Sequence, residues 1–320
     1  MNNFAQKNTK INGLNDKLKL FFLLLFYLIF IYVYSSRILS DDLLAYSIYF
    51  QEYTNFTDII EAPIYIIVEP ILYMFFIIFN FLGLSFRIFI AFVIVLNLYF
   101  TYKILRNFYS KDLAVFGLIT FMLIPLNMSL SLQVLRQYLS MQIMFYFLIK
   151  KNNDYLFFLF SILLHSSSLI FFPLIFVKKK INFKYSIITI LFLIVIYYSP
   201  IFTYLSLKLS KGSYYSFDLT GSVPYFITGI PLLLVLFDTN YSRIYKLILL
   251  YLFLIIAFAL SAEMQFRYMV GIYILLPIII VQLFLKFNKK TQLMLKPIFL
   301  LTLMFWTINY ILDGPYKYLL

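Results

Sequence analysis

The chain has 320 residues, 63% of them hydrophobic and 22% aromatic, with only 12% charged and a formal net charge of +13. Soluble domains carry about 25% charged and about 45–50% apolar residues, so this composition excludes an ordinary soluble enzyme and points to an all-α polytopic membrane protein. The absence of cysteine excludes disulfides and thiolate metal centres, and a single histidine excludes a histidine-rich metal site.

The basic residues fall in short clusters between apolar runs, which is the positive-inside pattern of a membrane protein and not a nucleic-acid footprint. Residues 1–19, with Lys7, Lys10, Lys17 and Lys19, read as a cytoplasmic tail. Residues 20–34 follow as the first span and act as an anchor. The next stretch, to Glu69, holds Asp41, Asp42, Glu52, Asp58, Glu61 and Glu69, six of the chain's 13 acids, and reads as the first external loop.

Residues 64–82 are apolar but start with Glu69 and Pro70 near their head, which suits a segment lying along the outer surface better than a crossing helix. Taken that way, 37–82 is one external loop with a surface helix, and Lys and Arg divide 19 inside to 7 outside. Residues 86–102 then run inward, 113–130 outward from Lys103, Arg106 and Lys111, and 133–149 inward to Lys150 and Lys151.

Residues 154–177 admit two readings. One unbroken span would put Lys178, Lys179, Lys180 and Lys184 outside and spoil the charge balance. A broken pair of short helices, turning near His165 and the three serines after it, returns them inside. Protein must then cover the exposed backbone at the break.

The remaining spans are 185–205, 224–237, 244–260, 268–285 and 293–312, with an external loop at 206–223 and a tight external turn at 261–267. About eleven crossings result, with the N-terminus inside and the C-terminus outside. The whole of 1–320 reads as one integral membrane domain.

Two side chains stand out because ionisable groups in apolar helices are costly and usually face a protein-lined cavity. Arg136 sits with Gln137 near the outer end of its helix, and His165 sits at the proposed break. The same outer face collects Arg37, Asp41, Asp42, Glu263 and Arg267. Arginines hold phosphate oxygens bidentately, and a nearby carboxylate or histidine can take a proton from an attacking hydroxyl. Each has a structural alternative. Arg136 can snorkel to headgroups, His165 can bond a neighbouring helix, the acid pair followed by Tyr46 can simply keep its loop outside, and Glu263 with Arg267 has the four-residue spacing of a helical ion pair.

These residues carry a resemblance. D-D-L-L-A-Y at 41–46, E-A-P-I-Y at 61–65, L-R-Q-Y-L-S at 135–140, L-H-S-S-S-L at 164–169 and F-R-Y at 266–268 resemble the EpsG family, related to the Wzy-type polymerases of bacterial surface polysaccharides. The resemblance implies polymerisation of polyprenyl-diphosphate-linked oligosaccharide repeat units at the outer face of the bacterial cytoplasmic membrane. A GT-C-like layout, with acids in the first external loop and a surface helix after it, is similar to the arrangement the charge count favours. Under that reading Asp41 or Asp42 is the general base, with His165 the rival. Arg136, Gln137, Arg267, Arg37 and Glu263 bind substrate or diphosphate. No cofactor and no metal are assigned, and a chain-length regulator and a flippase are the implied pathway partners. A transporter or flippase for the same lipid-linked sugar and an acyltransferase decorating the glycan remain the alternatives.

Overall fold

The helix Leu135–Ile149 is the axis of the fold: fourteen of its 15 residues are buried, and Arg136 is the exception. A helix buried on every face belongs at the centre of a helical body. The computed structural model describes residues 25, 27–29, 32, 41–61, 70–124, 127, 131, 134–150, 155–172, 174–175, 243–257 and 262–313. Every regular element among them is helical. In chain order they are α1 (Asp41–Glu52), α2 (Phe56–Ile60), α3 (Pro70–Phe81), α4 (Phe86–Arg106), α5 (Lys111–Leu123), α6 (Leu135–Ile149), α7 (Tyr155–Leu164), a 3-10 helix (Ser166–Phe171), α8 (Arg243–Ala257), α9 (Ala262–Leu285) and α10 (Lys289–Asp313).

Two stretches among the described residues are long and apolar enough to cross a membrane, Phe86–Arg106 and Lys289–Ile308. The first is half wrapped by protein. The second buries only 11% of its apolar window and turns Leu293, Leu301 and Phe305 outward.

The segment 41–61, expected as part of an external loop, is more ordered than its composition announced. It forms α1 and α2, which the expectation of a loop did not include. Leu43, Tyr46 and Phe50 make a buried stripe on α1 at near-helical spacing. Phe50 packs edge-on against Phe76 of α3 at 5.6 Å and Phe86 of α4 at 5.5 Å, and Tyr53 meets Tyr73 at 4.9 Å. Asn80 of α3 donates to the carbonyls of Phe50 and Tyr53, satisfying groups at the end of α1 that a helix terminus leaves open.

α3 covers 70–81 of the segment expected on the outer surface. Its described part has 12 residues and is about 18 Å long. It does not lie bare: Ile71, Leu72, Tyr73, Phe76, Ile77 and Phe79 are buried. It turns into α4 through Gly83, whose φ of 66° falls in the left-handed region. The amide of Leu84 donates to Phe79 and that of Gly83 to Asn80, a Schellman closure.

Three other expectations need adjustment or lie outside the described residues. α5 ends at Leu123, seven residues before the expected limit, because Ile124 is extended (φ −84°, ψ 106°) ahead of Pro125; the residue before proline is pushed out of the helical region. The expected tight turn at 261–267 is instead the start of α9, which runs unbroken from Ala262. Ala, Glu, Met and Gln are good helix formers, and their propensity explains the extension. The spans expected at 185–205 and 224–237, the loop between them, residues 62–69 and Arg37 lie outside the described residues.

The break at His165 is present. α7 stops at Leu164, His165 is non-helical and a 3-10 helix follows. The chain also reverses, since the rings of Phe158 and Phe172 lie 5.8 Å apart, where a continuous helix would separate them by about 21 Å. Three consecutive serines explain the break, because their hydroxyls compete with the helical backbone for its hydrogen bonds.

Candidate functional site

Arg136 lies in the first turn of α6, half-buried on an otherwise buried helix. Its Nε donates to the hydroxyl of Tyr46 at 3.3 Å, and its guanidinium carbon lies 5.6 Å from the centroid of that ring. One tyrosine thus supplies both a hydrogen-bond acceptor and a cation–π face. Tyr46 belongs to the buried stripe of α1, so the aromatic packing that fixes α1 also fixes what Arg136 meets. Gln137, next along, is buried, with 3% of its surface exposed.

α1 as described opens on Asp41 and Asp42, and Asp42 stands four residues, about one turn, before Tyr46. The structure therefore joins the acid-bearing helix to Arg136 through Tyr46.

His165 reaches the same neighbourhood through a serine clasp. Ser140 of α6 donates to the carbonyl of Ser161 at 2.8 Å, and Ser161 donates back to the carbonyl of Ser140 at 2.9 Å. The Ser140 hydroxyl also pairs with that of Ser168 and lies 3.3 Å from the carbonyl of His165. α6 and α7 are antiparallel, as Tyr146 with Phe157 at 5.1 Å and Phe147 with Tyr155 at 5.8 Å show. Arg136 is one turn before Ser140 and His165 is one turn after Ser161. The two residues singled out in the sequence therefore stand at the same level of neighbouring elements.

Glu263 and Arg267 fall in the first turns of α9. The helix meets α6 at Gly271, where an added Cβ would lie 3.1 Å from Phe145 and 2.8 Å from Leu252. That contact is in the second half of α6, and the side chains of Glu263 and Arg267 lie outside the described residues. Among the described residues no group of His, Cys, Asp or Glu could hold a metal ion.

Buried polar groups were the part the sequence reading missed. Ser140 and Ser161 are fully buried, and the four-residue spacings from Arg136 and to His165 were the available signal. Asn97, Thr101 and Gln142 form a second set between α4 and α6, where Gln142 donates to Thr101 at 2.8 Å. The amide of Asn97 and the hydroxyl of Tyr138 have no hydrogen-bond partner among the described residues.

Comparison with curated proteins and with solved structures finds no match. The family comparison does: the EpsG family model matches residues 19–320, nearly the whole chain including every motif described above, and the chain belongs to the EpsG family.

Proposed function

We propose that this protein polymerises polyprenyl-diphosphate-linked oligosaccharide repeat units at the outer face of the bacterial cytoplasmic membrane, building an O-antigen, capsule or exopolysaccharide. EpsG membership and the apolar helices support a membrane protein of polysaccharide biosynthesis, in a family related to the Wzy-type polymerases. The observation that carries the finer reading is the level pairing of Arg136 with His165, together with the bond from Arg136 to the helix that carries Asp41 and Asp42.

In this reaction a sugar hydroxyl of one unit attacks the anomeric carbon of the chain held on the lipid diphosphate. The bond from that carbon to the diphosphate oxygen breaks, and the hydroxyl proton passes to a base. Arg136, planar and permanently charged, binds the diphosphate and stabilises the charge that grows on it as it leaves. Asp41 or Asp42 accepts the proton, with His165 as the rival for that role. Gln137, Arg267, Arg37 and Glu263 complete substrate binding. About eleven crossings in a GT-C-like single domain, with the N-terminus inside and the C-terminus outside, accompany this reading. A chain-length regulator and a flippase would act beside it.

The test is replacement of Arg136 by Ala in a strain lacking the chromosomal gene. Loss of long surface glycan with single capped units remaining supports the polymerase. Unchanged length and amount of polymer would sink the assignment. Absence of any unit at the surface would favour a flippase, and normal chain length with missing acyl groups an acyltransferase.

A further inference from the structure

The serine clasp does more than join two helices, because of where it sits. A serine hydroxyl has one proton to give and can accept others. Ser140 gives its proton to the carbonyl of Ser161 at 2.8 Å, and the Ser168 hydroxyl bonds the Ser140 oxygen from the far side of the break. Ser161 lies before His165 in α7 and Ser168 lies after it in the 3-10 helix. The Ser140 oxygen therefore grips both flanks of the non-helical residue and lies 3.3 Å from its carbonyl.

The flanks are also held from within, since the amide of His165 donates to Ser161 at 3.0 Å and that of Ser168 donates to His165 at 3.1 Å. Ser140, Ser161 and Ser168 are all fully buried, so water cannot replace a lost partner at no cost. The other end of the grip is α6 itself, one turn from Arg136.

We propose that Ser140 is a positioning residue, whose hydroxyl fixes the backbone on both sides of His165 and thereby sets where the imidazole stands relative to Arg136. The placement of His165 is a matter of structure alone. The consequence for polymerisation rests on the function proposed above.

The chain's single histidine makes the test direct. Full-length protein in detergent, labelled with 15N-histidine, gives one pair of imidazole signals, all from His165. Ser140→Ala is expected to displace or split that pair, and Ser140→Thr, which keeps the hydroxyl, to restore it. Ser168→Ala removes the opposite half of the grip without touching α6 and is expected to disturb the same signals. It answers the question even where Ser140→Ala fails to fold. A wild-type pair in whichever of the two alanine variants folds would overturn the proposal. Polymer yield in cells is expected to fall with the displaced signal, on the order of 10²-fold for an ångström-scale misplacement. Displaced signals with unchanged polymer would leave the positioning intact and remove His165 from the proposed reaction.

Discussion

Ser140 and Ser161 bond each other reciprocally across α6 and α7, and this pair is what sets Arg136 level with His165. Neither Arg136 nor His165 occupies ordinary helical interior: one opens α6 and the other ends α7. Placing both at helix ends lets a cation and an imidazole sit beside apolar helices without a full burial cost, since each has access to polar groups that helix termini leave open. Tyr46 then ties that level to α1.

Tyr46→Phe separates the two roles of that tyrosine. The ring that stacks on Arg136 stays, and the hydroxyl that accepts from its Nε is lost. The expected cost is about 1 kcal/mol, roughly fivefold in polymerisation rate. Tyr46→Ala removes the ring as well and also leaves a cavity in the α1 stripe, so it should fall much further. Glycan yield per amount of membrane protein reads both. Equal yields for wild type and Tyr46→Ala would show that the contact does not serve the reaction.

The outline of the candidate site was legible at Arg136 and His165, because charges in apolar sequence are rare enough to stand out. Arg136 and His165 were conspicuous for that reason, and the break at His165 followed from lysine placement combined with a serine run. The helical order of 41–60 was not legible: six acids read as an external loop, while the stripe of Leu43, Tyr46 and Phe50 that makes α1 half-buried was overlooked. The helical backbone at 262–267 was missed because the polar run read as a tight turn, although Glu263 and Arg267 already had helical spacing and Ala, Glu, Met and Gln are good helix formers. Buried serines gave almost no signal, because Ser140 and Ser161 look the same in sequence whether they face lipid, water or each other.

Asn97 offers a stability prediction with a definite sign. It is fully buried on α4, and both atoms of its amide lack a hydrogen-bond partner among the described residues. A buried polar group left unsatisfied costs about 1–3 kcal/mol. Asn97→Cys, close in volume and a small hydrophobe when buried, should therefore raise stability by about 1 kcal/mol, read as a higher unfolding midpoint in detergent. A comparable loss of stability would show that the amide makes bonds in the folded protein.

Gly271 is where α9 comes close to α6 and α8. An alanine Cβ would sit 2.8 Å from Leu252 Cδ2 and 3.1 Å from Phe145 Cζ. Both are outer ends of side chains, so Ala can be accommodated by small rotations at about 1 kcal/mol, whereas Val should cost about 3 kcal/mol through overpacking. The thermal midpoint should fall in the order Gly, Ala, Val. A Val variant as stable as the parent would mean that α9 can stand away from Phe145 without penalty.

Asp58 predicts a pH dependence in the segment around α2. Its carboxylate accepts the backbone amides of Asn55 at 2.7 Å and Thr54 at 2.8 Å at the start of α2. The amides of Asn55 and then Thr54 hold its carboxyl below the usual carboxylate range. A depressed folded pKa means that the ionised group favours the folded segment. That contribution is complete above the ordinary carboxylate value of about 3.9 and is lost as pH falls through the lower folded value. Protease sensitivity of the segment around Thr54 should therefore stay flat from neutral pH down to about 4 and rise only in stronger acid. Asp58→Ala should show the raised sensitivity already at neutral pH, with no further rise through that acid window. A cleavage profile for Asp58→Ala that matched the parent at every pH would show that the Asp58 cap does not hold this segment.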